Sequence, residues 1–282
     1  MTNTSLDISN KINQIILDCL LALQTEAGAL GLDMLLVGAT VRDIILSLVH
    51  GIKINRATKD VDIGILVSNW GAYEAYKQRL IATALFTPDS KRNHRLYFHG
   101  LPVDIIPFGG IEKEDGNIVW PPDDADTMRV TGFKDAFTHA LSAHIGQEKE
   151  IRLASLPGMA ILKIIAWDDR HNEFPTKDAE DLALILHNYT DAGNIDRLYE
   201  KYPEFVTDFN GDSVLAGARL LGVDMAAIMS DKTKQTVQGI LERNTNPGKA
   251  DKLTEAIFGQ LTGRSYEWTV QLLQNLQEGI GH

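Results

Sequence analysis

Residues 56–67 read RATKDVDIGILV and place two carboxylates inside an apolar, β-branched run. The composition predicts a β-strand over residues 59–67. Because residues i and i+2 of a strand point to the same face, Asp60 and Asp62 are expected to lie side by side. Two carboxylates this close repel each other unless a cation lies between them. A divalent metal ion held by hard oxygen ligands is the simplest such cation.

A third carboxylate, Asp104, interrupts the apolar stretch PVDIIP over residues 102–107. Burying it without compensation would be costly in free energy. Three acids on neighbouring strands could hold two metal ions, Mg²⁺ or Mn²⁺, that polarise a phosphoryl group and activate an attacking oxygen. A D-x-D pair is also common in turns and at exposed strand edges, so a solvated pair at Asp60 and Asp62 is the alternative.

A glycine turn lies upstream of these acids, in LLVGATVRD over residues 35–43. The pattern predicts a buried strand that ends at Gly38 and a helix that follows it. Backbone N–H groups at such a helix start favour an anion, Gly38 lets phosphate oxygens approach, and the Thr40 hydroxyl could donate to one of them. The alternative is an ordinary strand-to-helix turn with Thr40 as its N-cap. Arg42 and Asp43 are interpreted as residues that support the turn, although Arg42 could reach phosphate.

These strings, LLVGATVRDIIL followed by R-x-T-x-D-x-D, resemble the nucleotidyltransferase signature of the polymerase-β superfamily. The VGATVRD piece is similar to the V-G-G-x-V-R-D of tRNA CCA-adding enzymes and poly(A) polymerases, with Ala39 where a second glycine is usual. The piece that holds Arg56, Thr58, Asp60 and Asp62 is similar to the R-x-S-x-D-[IVL]-D of AbiEii-type abortive-infection toxins. The resemblance implies an α/β nucleotidyltransferase fold, a small mixed sheet flanked by helices, followed by an all-helical C-terminal domain.

The second half of the chain bears on which branch is nearer. Residues 158–170, GMAILKIIAWDDR, and residues 177–182, KDAEDL, resemble the K-L-x-A-x-x-x-R and K-D-x-x-D-L block of AbiEii-type proteins. The matching residues are Lys163, Arg170, Asp178 and Asp181. The CCA-adding pattern instead has R-R-D after the third acid and a later E-D-x-x-R; neither is present, and His94-Arg95 is not such an element.

The block also has a physical interpretation. The Lys163 stem lies among apolar residues, and an ammonium aimed at a triphosphate would offset charge that builds up in phosphoryl transfer. Asp178 and Asp181 share one face of a predicted helix at i, i+3, where they could orient Lys163 or Arg170 or contact the acceptor. The alternative is a lysine that reaches solvent and a solvated acidic face.

Composition and periodicity give the organisation of the chain. With 282 residues and 44% hydrophobic content, the chain can bury a core, and a net charge of −11 argues against a broad cationic surface for nucleic acid. The single cysteine excludes a disulfide framework, and the sequence shows neither a signal peptide nor a membrane span, so we expect a cytoplasmic protein with no membrane partner. We predict helices over 5–30, 40–49 and 69–86, and strands over 33–37, 59–67, 95–98, 101–107 and 118–120. A nucleotidyltransferase domain is predicted over 1–150, and a helical domain that completes the nucleotide and acceptor cleft over 151–282.

The resemblance implies transfer of an NMP from an NTP to an acceptor hydroxyl, on an RNA end such as that of tRNA or on a protein. A toxin or phage-defence role, with an antitoxin as a candidate partner, follows from the same analogy. The alternatives are a small-molecule, antibiotic-type nucleotidyltransferase and an inactive nucleotide-binding module. The implied catalytic residues are Asp60, Asp62, Asp104 and Lys163; the implied metal ligands are Asp60, Asp62 and Asp104; the implied nucleotide-binding residues are Gly38, Ala39, Thr40, Arg42, Thr58, Asp178 and Asp181.

Overall fold

The computed structural model describes residues 6–8, 12–54, 60–121, 126–145, 149–245 and 251–282. Its contacts divide the chain into two units, Met1–Ser155 and Leu156–His282. The division falls after Ser155 because Lys149–Leu153 is still a strand of the first unit.

Ten strands are described in the first unit: β1 (Leu6–Asp7), β2 (Asp33–Val37), β3 (Val61–Val67), β4 (Phe86–Pro88), β5 (Arg95–Phe98), β6 (Leu101–Gly109), β7 (Asn117–Val119), β8 (Thr127–Arg129), β9 (Leu141–Ile145) and β10 (Lys149–Leu153). Eight of them form one sheet in the order β1-β9-β10-β2-β3-β6-β5-β4. The pairs β1–β9, β10–β2 and β3–β6 are parallel and the others in this sheet are antiparallel. Strands β7 and β8 form a separate antiparallel pair.

Four α-helices accompany this sheet: α1 (Gln14–Ala29), α2 (Gly38–Asp43), α3 (Trp70–Ala82) and α4 (Phe133–Thr138). Helix α2 continues directly into π-helical turns over Ile44–Val49. Asparagine side chains cap two of the helices, since Asn13 accepts from the Ile15 N–H and Asn69 from the Ala72 N–H.

The two faces of β3 differ in character. Alternate residues Val61, Ile63 and Ile65 are fully buried, as the β-branched pattern predicts. On the other face Gly64 leaves room for Phe133 of α4, whose ring would lie 3.0 Å from a Cβ at this position. Asp62 lies on the same face as Gly64, two residues earlier along the strand.

Two predictions for the first unit are wrong at element ends. The helix predicted from Ser5 begins at Gln14, and Leu6–Asp7 instead pairs with β9. The helix predicted to reach Phe86 ends at Ala82, and Phe86 begins β4. The antiparallel pair of β9 and β10 was not among the predicted elements.

The second unit contains helices throughout its described length: α5 (Leu156–Arg170), α6 (Lys177–Asn188), α7 (Ile195–Lys201), α8 (Pro203–Asp208), α9 (Ser213–Ile228), α10 (Asp231–Asn244), α11 (Lys252–Phe258) and α12 (Tyr266–Gly281). Helices α9 and α12 approach closely at two glycines. A Cβ on Gly222 would lie 2.2 Å from the Leu276 carbonyl oxygen, and one on Gly279 would lie 2.0 Å from that of Arg219.

The predicted architecture, a mixed sheet flanked by helices and followed by a helical region, is confirmed. In the described ranges, none of the helices combines the length and the apolar composition that crossing a membrane requires.

Candidate metal centre

Strand pairing brings the three predicted carboxylates together. In the parallel pair of β3 and β6, Asp62 and Asp104 are direct partners, so their side chains leave the same face of the sheet. Asp60 precedes β3 by one residue and lies two residues before Asp62. One carboxylate oxygen from each of the three acids lies within 4.8 Å of the others. We call Asp60, Asp62 and Asp104 the acidic cluster.

The glycine turn lies directly against this cluster. Gly38 follows β2, whose last residue Val37 is the antiparallel partner of Asp62. Its φ is +73°, in the left-handed region that favours glycine. A Cβ at this position would lie 2.0 Å from Oδ2 of Asp62. The close approach of the Asp62 carboxylate therefore requires glycine at position 38, whether or not a phosphate also approaches this turn.

The other predicted residues of the turn are engaged within the protein. The buried Thr40 hydroxyl donates a hydrogen bond of 3.1 Å to the backbone carbonyl of Asp60, which ties α2 to the start of β3. Arg42 is fully buried and donates to Oδ1 of Asp43 from Nε at 2.9 Å and from a terminal nitrogen at 2.6 Å. Ala39 is half-buried. Thr58, the remaining nucleotide-binding prediction in this unit, lies outside the described residues, as does Arg56.

A cation that the sequence analysis set aside contacts the cluster. Arg95 of β5 is the antiparallel partner of Asp104. Its Nε donates to Oδ1 of Asp104 at 2.6 Å and a terminal nitrogen donates to Oδ2 at 2.7 Å, a bidentate charge-assisted pair. The hydrogen bond with Asp104 raises the pKa of Arg95, and the charge of Asp60 raises it further. His94 lies nearby, with Nε2 4.0 Å from Oδ1 of Asp104.

The two strands predicted over 95–98 and 101–107 contain the sequence signal that identifies Arg95, namely the short turn between them. A two-residue turn at His99 and Gly100 pairs Phe98 with Leu101, and counting back along both strands pairs residue 95 with residue 104. The structure has this register. Cross-strand neighbours on one face lie close together, so following this register would have predicted an arginine beside the third acid.

The predicted residues of the second unit contact one another. The ammonium of Lys163 lies 3.1 Å from Oδ1 of Asp178 and 2.6 Å from Oδ2 of Asp181. Arg170 donates to both oxygens of Asp178, at 2.7 and 2.8 Å. We call Lys163, Arg170, Asp178 and Asp181 the buried ion cluster.

Opposite charges control the ionisation of Asp178. Burial alone would raise the pKa of Asp178, but Lys163 and Arg170 outweigh that effect and lower the pKa to about 2. Asp178 is 0% exposed and Asp181 2% exposed, so these acids do not form the solvated helix face that was the alternative. Their contacts instead orient Lys163 and Arg170.

The acidic cluster suits a hard divalent cation. Its donors are carboxylate oxygens alone, the ligands that Mg²⁺ and Mn²⁺ prefer, and their spacing allows one ion to contact all three acids. Asp60 and Asp62 are half-buried and Asp104 is 8% exposed, so the oxygens are partly withdrawn from water. The arrangement can concentrate positive charge beside a turn whose backbone tolerates a close anion.

Comparisons with known proteins give low similarities. No protein-family model matches the chain. No curated protein matches it.

Solved structures with similar folds include ANT(2″)-Ia in complex with adenylyl-2″-tobramycin, with 13% identity, 60% of this chain and 87% of that chain covered, and a TM-score of 0.39. An antigenic nucleotidyltransferase-like protein from Paracoccidioides brasiliensis has 14% identity, 71% and 94% coverage and a TM-score of 0.40. An apo form of a CCA-adding enzyme has 14% identity, 96% and 82% coverage and a TM-score of 0.31. Because these values are low, we base the function on the geometry of the acidic cluster.

Proposed function

We propose that this chain is a metal-dependent nucleotidyltransferase that moves an NMP from an NTP to an acceptor hydroxyl. The observation that supports this most is the convergence of Asp60, Asp62 and Asp104 within 4.8 Å beside the Gly38 turn. The three carboxylates repel one another, and Arg95 compensates the charge of Asp104. A divalent cation held by all three acids would add further compensation and could bind a polyphosphate at the same time.

In this proposal the acidic cluster holds Mg²⁺ or Mn²⁺, with Asp60 and Asp62 on the nucleotide side and Asp104 on the acceptor side. Bound there, the metal would supply Lewis-acid charge that stabilises negative charge on the phosphoryl oxygens. The Gly38 turn would accept phosphate oxygens at its backbone N–H groups. The roles proposed for Ala39, Arg42 and Thr58 toward the nucleotide stay predictions.

The proposed reaction is a displacement at the α-phosphorus of the NTP. The acceptor oxygen forms a bond to the α-phosphorus, the bond from that phosphorus to the bridging oxygen breaks, and pyrophosphate leaves. A lone pair on Asp104 that Arg95 does not engage would accept the hydroxyl proton. Lys163, Asp178 and Asp181 keep their proposed part in nucleotide binding, with the two acids orienting the lysine.

The proposed acceptor is a macromolecule, an RNA end such as that of tRNA or a protein hydroxyl. A toxin or phage-defence role with an antitoxin partner belongs to the same proposal. A small cationic acceptor is the second candidate, because a net charge of −11 favours binding of polycations over polyanions. The acceptor assay below separates these two classes.

The full chain is incubated with each α-labelled NTP, with Mg²⁺ or Mn²⁺, and with total RNA, total protein or an aminoglycoside. We expect label in RNA or protein, and a loss of at least about a hundredfold in Asp62→Ala, because transition-state charge stabilisation contributes on that scale. Asp33→Ala is the matched control, since Asp33 is an exposed carboxylate at the opposite end of β2 from the Asp62 pairing. It should retain wild-type transfer.

Each remaining result has a definite meaning. Label confined to the aminoglycoside would replace the macromolecular acceptor by the small-molecule one. No transfer with any NTP, metal or acceptor, or equal transfer by wild type and Asp62→Ala, would contradict the proposed function. Growth inhibition on expression that Asp62→Ala abolishes would support the toxin role.

A further inference from the structure

Arg95 is a cation that the structure places in direct contact with the acidic cluster. Its guanidinium engages both oxygens of Asp104. The pair is well shielded, with the side chains of Arg95 and Asp104 only 15% and 11% exposed. Such a pair is less screened by solvent than a surface salt bridge.

This contact limits what Asp104 can offer to a metal ion. A carboxylate has about four lone-pair positions, and the arginine fork engages one on each oxygen. The remaining positions can contact a metal ion only with the guanidinium charge close by. Asp104 is thus shared between a resident cation and an incoming one.

The formal charges of these side chains determine how Arg95 affects the binding of a divalent cation. The acidic cluster and Arg95 together carry a net charge of −2, whereas the three carboxylates alone carry −3. Removing the arginine charge therefore strengthens the attraction for a divalent cation.

We propose that Arg95 is a built-in counter-cation that weakens metal binding to the acidic cluster, so that tight binding of the metal requires the added negative charge of a polyphosphate. This inference rests on the metal site of the proposed function. Arg95 acts through Asp104 and is a positioning residue, with no direct part in the chemistry. Metal and nucleotide then bind cooperatively, because each supplies the charge that the other lacks.

The test measures binding of Mn²⁺ alone to the full chain at pH 8, from the loss of the free-ion signal in electron paramagnetic resonance. We expect Arg95→Met and Arg95→Gln to lower the dissociation constant by at least about tenfold, since a unit charge this close to a divalent site is a strong Coulomb effect even when largely screened. Arg95→Lys keeps the charge but loses the bidentate geometry. It should stay within about threefold of wild type, because the proposed effect depends on the charge. The second neutral variant can still donate to Asp104, which preserves folding if the methionine variant does not fold.

Two further variants make the outcomes distinguishable. Arg79→Met removes an equal charge from an exposed pair with Glu26 and should leave Mn²⁺ affinity unchanged. Asp62→Ala should remove the part of the Mn²⁺ binding that belongs to the acidic cluster. If wild type binds Mn²⁺ through Asp62 but the neutral Arg95 variants bind no tighter, the counter-cation role is wrong and the proposed function survives. If wild type and Asp62→Ala bind alike, the metal site itself is wrong and both proposals fall.

Discussion

At the scale of single residues, the site depends on how closely a carboxylate can approach a backbone. Asp62 lies against Gly38, and the space between them would not hold a methyl group. The same glycine has a φ of +73°, which an alanine adopts only with strain. One position therefore combines a conformational requirement with a steric one.

Gly38→Ala tests this combination. We expect the free energy of unfolding to fall by about 2–4 kcal/mol, from the strained φ and from overpacking against Asp62, and Mn²⁺ affinity to fall because Asp62 is displaced. Gly100→Ala is the matched control, with φ +88° and no atom within 4 Å of the added Cβ, and should cost about 1–2 kcal/mol from φ alone. Urea denaturation measures both; equal losses in the two variants would contradict the close contact.

Much of the acidic cluster could be predicted from sequence because its cause is local. The i, i+2 spacing of Asp60 and Asp62 fixes a shared face, and a carboxylate in an apolar strand signals a partner. Asp104 lies next to Asp62 because β3 and β6 are adjacent and pair in this register. The sequence of the long connection between the two strands does not predict that register. Arg95 was missed because the hairpin register was not followed to its end, although the register was available.

At the scale of secondary-structure elements, the errors have physical causes. Strands β9 and β10 bury Ala143, Ile145, Ile151 and Leu153 at alternate positions, but the charged residues between them hide the pattern from a reading of polarity alone. Strand β1 is two residues long, too short for any periodicity to show. The predicted start of helix α1 is too early because the apolar spacing continues on the N-terminal side of its Asn13 cap.

The buried ion cluster links helices α5 and α6, so we expect it to contribute to the stability of the second unit. Lys163→Met should lower the free energy of unfolding by about 3–5 kcal/mol, because it removes a buried cation that both Asp178 and Asp181 contact. Lys252→Met changes an exposed lysine at the start of α11 and should stay within about 0.5 kcal/mol of wild type. Urea denaturation of the full chain at pH 7 measures both, and a loss in Lys163→Met no larger than in Lys252→Met would contradict the compensation described.

The same cluster gives a pH dependence of defined sign. The folded-state pKa of Asp178 is about 2, below its ordinary value of 3.8, so the stabilisation is present above that ordinary value and is lost as the pH falls through about 4 to about 2. The shift corresponds to about 2 kcal/mol. In Lys163→Met the folded-state pKa of Asp178 should rise toward its ordinary value, so the acid-induced loss should be smaller and should end at a higher pH than in wild type. Superimposable acid limbs for the two proteins would contradict this.

At the scale of the whole molecule, the chain has two units and an excess of negative charge. A net charge of −11 attracts divalent cations to many parts of the surface without a specific site. Bulk Mn²⁺ binding therefore reports on the acidic cluster only through the difference between wild type and Asp62→Ala, and it does not locate the ion. A measurement that locates the ion is needed.

That measurement is anomalous diffraction from crystals of the full chain that contain Mn²⁺ and an ATP analogue with a methylene group between the α- and β-phosphorus atoms. We expect an anomalous peak about 2.2 Å from carboxylate oxygens of Asp60, Asp62 and Asp104, with the analogue's phosphates next to the Gly38 turn. The peak should be absent from Asp62→Ala crystals prepared in the same way. Manganese bound only elsewhere, with the three carboxylates contacting no ion, would contradict the proposal that these acids form the catalytic metal site.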